Sequence, residues 1–155
     1  MFGKILDFET ALRKAQSYCA YQERCEQEIQ LKCKEWSLTH RDTQKLIEAL
    51  YADNFLNEER FALAYARGKF RIKKWGKIRI KQELISRQIS DINIQKALKT
   101  IDDEGNYEDV LLQVMQNKKE DYAEDAQKIQ KLAYYTISRG FEPELVWQQI
   151  KSLDF

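Results

Sequence analysis

The chain has one proline and five glycines in 155 residues, too little punctuation for the turns of a many-stranded sheet. It has one histidine, His40, and so no pair of histidines to share a zinc ion. No glycine-rich phosphate loop runs into Lys-Ser or Lys-Thr, and no nucleophile stands beside an identifiable base. No apolar run approaches the roughly 20 residues that cross a bilayer, and the N-terminal stretch MFGKILDFET lacks a basic region followed by an apolar signal core. The three cysteines, Cys19, Cys25 and Cys33, are spaced by six and eight residues, unlike the short paired spacing of zinc sites, and an odd number cannot close a disulfide framework. These absences point to a soluble, cytoplasmic protein that is not an enzyme, has no catalytic residue, metal or cofactor, and keeps its thiols reduced and partly buried. His40 reads as a solvated residue in the first turn of a helix, and not as a general base.

What is abundant is helix-forming. Ala, Leu, Gln, Glu, Lys and Arg dominate. With 43% hydrophobic and 33% charged residues, the chain suits a few small helical modules better than one deep core. The fold class expected is all-α.

A repeat organises the chain. Taking Leu38, Ile89 and Phe141 as reference points, separated by 51 and 52 residues, the ninth position before each is Ile29, Ile80 or Leu132. The ninth after is Ile47, Leu98 or Ile150, and the twelfth after is Leu50, Ile101 or Leu153. All nine are apolar. Directly after each reference comes a helix start: Thr39 with Asp42 three residues on, Ser90 before Asp91, and Glu142 before Pro143 at a first helical position. Three tandem three-helix, helix-turn-helix-like repeats are expected, spanning residues 8–55, 56–102 and 103–155, in an elongated array whose modules contact mainly their neighbours. In the second repeat, helices are expected at Glu58 to Lys73, Lys77 to Gln88 and Asp91 to Ile101; in the third, the middle helix is expected from Glu124 to Ser138.

The formal net charge is only +1, yet it is unevenly spread. Arg67, Lys69, Arg71, Lys73, Lys74, Lys77, Arg79 and Lys81 follow one another with no acidic residue between, interleaved with Phe70, Ile72, Trp75, Ile78 and Ile80. This pattern implies a folded basic face that meets a polyanionic partner, either an acidic protein surface or nucleic-acid phosphates. Trp75, in a connection between basic helices, is a candidate for stacking on a base or a partner surface. Lys73, Lys74 and Lys77 are expected to be exposed, so that reversing their charge would barely change stability. From Asp102 to Asp125 nine acidic residues face only Lys118 and Lys119, which reads as a solvated helix face and loop. Before the basic strip, Asn57 reads as a helix cap with Glu58 and Glu59 at the positive end of the helix dipole. Phe61, Tyr65, Gly68 and Ile72 form an apolar stripe in which Gly68 would let a neighbouring helix approach.

The segment from Phe55 to Ile89, with Leu56-Asn57-Glu58-Glu59-Arg60-Phe61-Ala62 and then Gly76, Ile80, Glu83, Leu84 and Ile89, resembles the central signature of the RecX family of regulatory proteins. Upstream, Ala11-Leu12-Arg13-Lys14-Ala15 and the run from Tyr18 to Glu28 resemble that family's first-module pattern, so the likeness covers nearly the whole chain. Asn57 stands where the family usually has Asp, and Cys25 where it usually has a capping Ser. Cys is a poor cap, which predicts a less well held helix start there. The resemblance implies three tandem three-helix repeats and a partner, the RecA recombinase filament on DNA, whose groove such proteins occupy while lowering ATP hydrolysis, strand exchange and filament growth. The expected form is a monomer, with no membrane partner. Single- or double-stranded DNA is a further expected partner, through the basic second repeat.

The alternative is an autonomous nucleic-acid-binding protein of helix-turn-helix type. The stretch that would read bases, Asp91 to Thr100, begins acidic and carries few side chains suited to base edges, which argues against sequence specificity.

Overall fold

Each repeat turns into its last helix in the same way. Ser37, Gln88 and Gly140, the residues just before the three reference positions, all have left-handed backbones, with φ of 58°, 61° and 103°. The next residue is then buried or packed on the core, and Thr39, Ser90 and Glu142 follow in extended conformation at a helix N-cap. The left-handed residue lets the chain double back so that the Leu38 and Ile89 amides reach the Cys33 and Leu84 carbonyls, at 3.0 and 3.1 Å.

This computed structural model describes residues 5–155, so the first four residues of MFGKILDFET lie outside the described residues. The described residues contain no strand and nine α-helices: α1 Phe8–Tyr21, α2 Glu26–Glu35, α3 His40–Ala52, α4 Glu58–Gly68, α5 Lys77–Ser86, α6 Asp91–Asp103, α7 Tyr107–Lys118, α8 Lys128–Ser138 and α9 Pro143–Ile150. They form three tandem three-helix repeats. No helix among them is long and apolar enough to cross a membrane. The three cysteines are free and buried, and burial pushes the Cys19 thiol up to about 11.

All twelve repeat-defining positions are buried or packed against a core, but the cores are two. The first repeat has its own, built on Ala11, Ile29, Cys33, Leu46 and Leu50. The second and third repeats share one continuous core that includes Phe70, Ile80, Leu84, Leu111, Leu132 and Phe141. Across the seam between cores, Leu56 reaches back into the first and Cys25 forward into the second.

Helix starts follow the sequence in part. Thr39 accepts from the Asp42 amide at 3.1 Å and Asn57 from the Arg60 amide at 2.9 Å, as their types suggest, and Pro143 opens α9. Ser90 does not cap its own helix. Its hydroxyl and amide both donate to Glu58 in α4, at 2.6 and 2.8 Å, and Asn93 donates to the same oxygen at 3.0 Å. Glu58 thus serves the start of α6 from the neighbouring helix. Burial opposes its ionisation, but these hydrogen bonds outweigh burial and hold its carboxyl below the usual range. At Cys25 the helix start is held from the far side, because Glu28 accepts the Cys25 amide at 3.1 Å.

Three expectations are corrected. The helix drawn from Glu58 to Lys73 is α-helical only to Gly68, then continues as a π-helical turn, Lys69–Lys73, that ends at a left-handed Lys74 with φ of 56°. The wider turn shifts the register, so that Phe70 takes the core position and Ile72 is left 77% exposed, off the stripe assigned to it. Gly68 admits no neighbour, since a Cβ there would meet open space. The close approach is at Gly76, where a Cβ would overlap the Gly140 carbonyl. The middle helix of the third repeat also starts late, at Lys128, because Asp125 accepts the Gln127 amide at 2.8 Å and holds a turn there.

Candidate partner-binding surface

The end of α4, the π-helical turn and the start of α5 carry the basic strip, and the structure divides its members into two groups. Arg67 and Arg71 close on one carboxylate, Glu104, at 2.8 and 3.0 Å. Burial opposes the charge on Glu104, yet the hydrogen bonds from both arginines hold its carboxyl below the usual range. Lys77 donates to Asp102 at 2.6 Å, lies 3.6 Å from Glu142 and sits over the Tyr107 ring, with only 22% of its side chain exposed. The Tyr107 hydroxyl accepts the Lys77 amide at 3.0 Å and donates to Glu142. Burial first, then the bond to Glu142, pushes that phenol far up its scale.

The acidic run is therefore not wholly a solvated face: Asp102 and Glu104 neutralise Arg67, Arg71 and Lys77. The expectation that Lys77 is a free surface charge is also corrected. Lys77→Glu should lower stability by about 2–3 kcal/mol, because it sets a carboxylate among Asp102, Glu142 and the Tyr107 ring face. Thermal or urea unfolding checks this.

The second group consists of Lys69, Lys73, Lys74, Arg79 and Lys81, which have no ion pair among the described residues. Two of these clamp Trp75: Arg79 lies 4.1 Å from the ring centroid and Lys69 5.0 Å. Trp75 is half-buried against the shared core. The geometry gives the ring cation–π partners of its own, so Trp75 rigidifies the strip by holding two of its cations. Lys73 is exposed, while Lys74 and Lys81 are partly exposed.

Composition did not reveal how the strip is tied to the first repeat. Arg60, inside the motif Asn57-Glu58-Glu59-Arg60, forks onto Glu23 at 2.6 Å and donates to the Asn54 and Phe55 carbonyls at 3.0 and 3.3 Å. Gln27 donates to the Ser86 carbonyl at 3.2 Å. Between α2 and α4 lies an open groove lined by Leu31, Phe61, Tyr65, Ile72, Lys69 and Lys73, among others. Its lip residues Leu31 and Ile72 are 59% and 77% exposed.

A row of three-helix repeats with a basic strip at its middle defines a helical-repeat protein, and comparison with known proteins narrows the class. A family model described as RecX, second three-helix domain, matches residues 57–98. Regulatory protein RecX of Bacillus cereus (strain G9842) is 26% identical over 149 residues, covering 93% of this chain and 55% of its own length. Regulatory protein RecX of Prosthecochloris aestuarii is 26% identical over 147 residues, covering 95% of both. The chain thus spans about half the length of the Bacillus relative and nearly all of the other. Among solved structures, RecX from Lactobacillus salivarius superposes with a TM-score of 0.81 at 21% identity, over 95% of this chain and 96% of that one. A second crystal structure, of regulatory protein RecX, gives 0.84 at 21% identity, over 94% and 73%. The chain is thus similar to RecX proteins, in its second three-helix domain by the family model and along nearly its whole length by sequence and fold.

Proposed function

We propose that this chain binds a RecA recombinase filament on DNA, lodges along the filament groove, and lowers ATP hydrolysis, strand exchange and filament growth. The observation that carries the reading is the likeness to regulatory protein RecX along nearly the full chain, at the level of sequence and of fold. The surface is of a kind that suits it. A helical groove is followed best by an extended row of modules, and Lys69, Lys73, Lys74, Arg79 and Lys81, which have no internal ion pair among the described residues, lie together on the middle one. With a formal net charge of +1, the molecule as a whole has little general attraction for DNA, so protein contact supplemented by phosphate contact is favoured over DNA contact alone.

Steady-state ATP hydrolysis by the cognate RecA on single-stranded DNA should fall as this protein is added, and the protein should sediment with the filament. An unchanged rate with no co-sedimentation would overturn the proposal. Lys73→Glu with Lys81→Glu should weaken filament binding by about tenfold and leave the melting temperature nearly unchanged, since both lie outside the internal ion pairs.

A further inference from the structure

Where the π-helical turn meets the third repeat, three cations converge on one hollow. Lys74 comes from the end of that turn, Lys118 from the end of α7 and Arg139 from just past α8, and with Val114, Asn117 and Tyr135 they line a cavity of about 110 Å³. Lys118 lies 4.8 Å from the Tyr135 ring centroid and has one carboxylate partner, Asp121, at 2.9 Å. Lys74 and Arg139 have no ion pair among the described residues. Arg139 is fixed in place by donating to the Lys73 carbonyl, and its Nε is buried without a hydrogen-bond partner. Lys74 holds a left-handed backbone, φ 56° and ψ 47°, that glycine adopts freely and lysine does not. Three positive charges thus line a hollow that no carboxylate lines, with Asp121 pairing Lys118 alone, an arrangement that an incoming anion relieves.

We propose that this hollow is a subsite for one phosphate of a nucleic-acid backbone. Its size admits a phosphate group. The Arg139 guanidinium, the Lys74 ammonium and, from α7, the Lys118 ammonium and Asn117 amide come from three elements, which suits the several oxygens of a tetrahedral oxyanion better than the planar pair of a carboxylate. Lys73 and Lys69, also without ion pairs, continue the positive charge from Lys74 back along the π-helical turn. A row of this kind fits a polymer of regularly spaced phosphates. The inference goes beyond the filament reading and is tested without RecA, so that either can fail alone.

The experiment is fluorescence anisotropy of a labelled single-stranded oligonucleotide titrated with the full chain over a range of salt. The double variant K74G/K118Q should bind about tenfold more weakly at low salt, with the log-log salt slope reduced by about 0.7, one phosphate's worth on a single strand. Asn117→Asp, which puts a carboxylate into the hollow, should weaken binding in the same direction. Lys74→Gly places glycine at a left-handed position, so the fold is kept or strengthened, and weaker binding by that variant is not a folding defect. Unchanged affinity and slope in the double variant would overturn the proposal, as would absence of oligonucleotide binding by the parent protein. An oligoglutamate peptide that loses binding in these variants while the oligonucleotide does not would also overturn it, assigning the hollow to a carboxylate partner.

Discussion

Gly76→Ala should destabilise the chain by about 3 kcal/mol, while Gly68→Ala should stabilise it by about 0.5–1 kcal/mol. Both glycines lie in the basic second repeat, and their surroundings are opposite. Gly68 has ordinary right-handed helical angles, φ −62° and ψ −46°, and open space where a Cβ would go. Gly76 faces Gly140 so closely that any Cβ overlaps backbone, which cannot swing aside as a side chain can. The approach is needed because α5 has no side-chain cap. Its first amides are satisfied instead by the third repeat: Gly76 donates to the Arg139 carbonyl and Ile78 to the Gly140 carbonyl, both at 2.9 Å, while Lys77 donates to Tyr107. A methyl group at Gly76 therefore costs overpacking and unsatisfied donors together. Urea unfolding midpoints of the two variants check the contrast. If Gly76→Ala left the midpoint where it was, the second and third repeats could part at this seam without cost, and the capping account would fail.

That seam shows where the sequence was legible and where it was not. The repeat register was readable because it rests on apolar residues at helical spacing, a signal that burial itself imposes, and Ile29, Ile80 and Leu132 hold matching places in the three repeats. The left-handed residue that closes each second helix was hidden, because Ser37 and Gln88 occupy it and only Gly140 carries the expected residue type. Glycine is kept at 140 because the backbone and Cβ of Arg79 press against it, a tertiary reason that no local pattern contains. The same limit explains Gly68, which a stripe of apolar residues made look like a contact point. The basic strip was visible as charge, but its division was not: Glu104 and Asp102 lie far along the chain from Arg67 and Lys77, and their pairing depends on how α6 returns across α4. Glu58 capping a helix 32 residues away belongs to the same class.

Because the hydrophobic residues separate into two cores, Leu50→Ala should split unfolding into two steps. Leu50 is fully buried in the first core, and its truncation should cost about 2–5 kcal/mol there. Little of that loss should reach the shared core of the second and third repeats, since what joins the first repeat to them is largely polar: the Arg60 fork on Glu23 and the Gln27 bond to the Ser86 carbonyl. Leu56 and Cys25 are the only buried side chains that cross the seam among the described residues. Phe141→Ala should do the reverse, costing about 3–5 kcal/mol in the shared core, where Phe141 packs on Tyr107 and Tyr107 on Phe70. The chain carries its own reporters, with Trp36 packed against the first core and Trp75 against the second. In a Trp147→Phe background, Leu50→Ala should move the Trp36 transition to lower urea ahead of Trp75, and Phe141→Ala should move Trp75 ahead of Trp36. Coincident transitions in both variants would mean one cooperative unit, with the polar joint transmitting stability as well as a packed core does. Separate transitions would instead make the first repeat a module that can loosen while the basic strip, anchored on the shared core, keeps its shape.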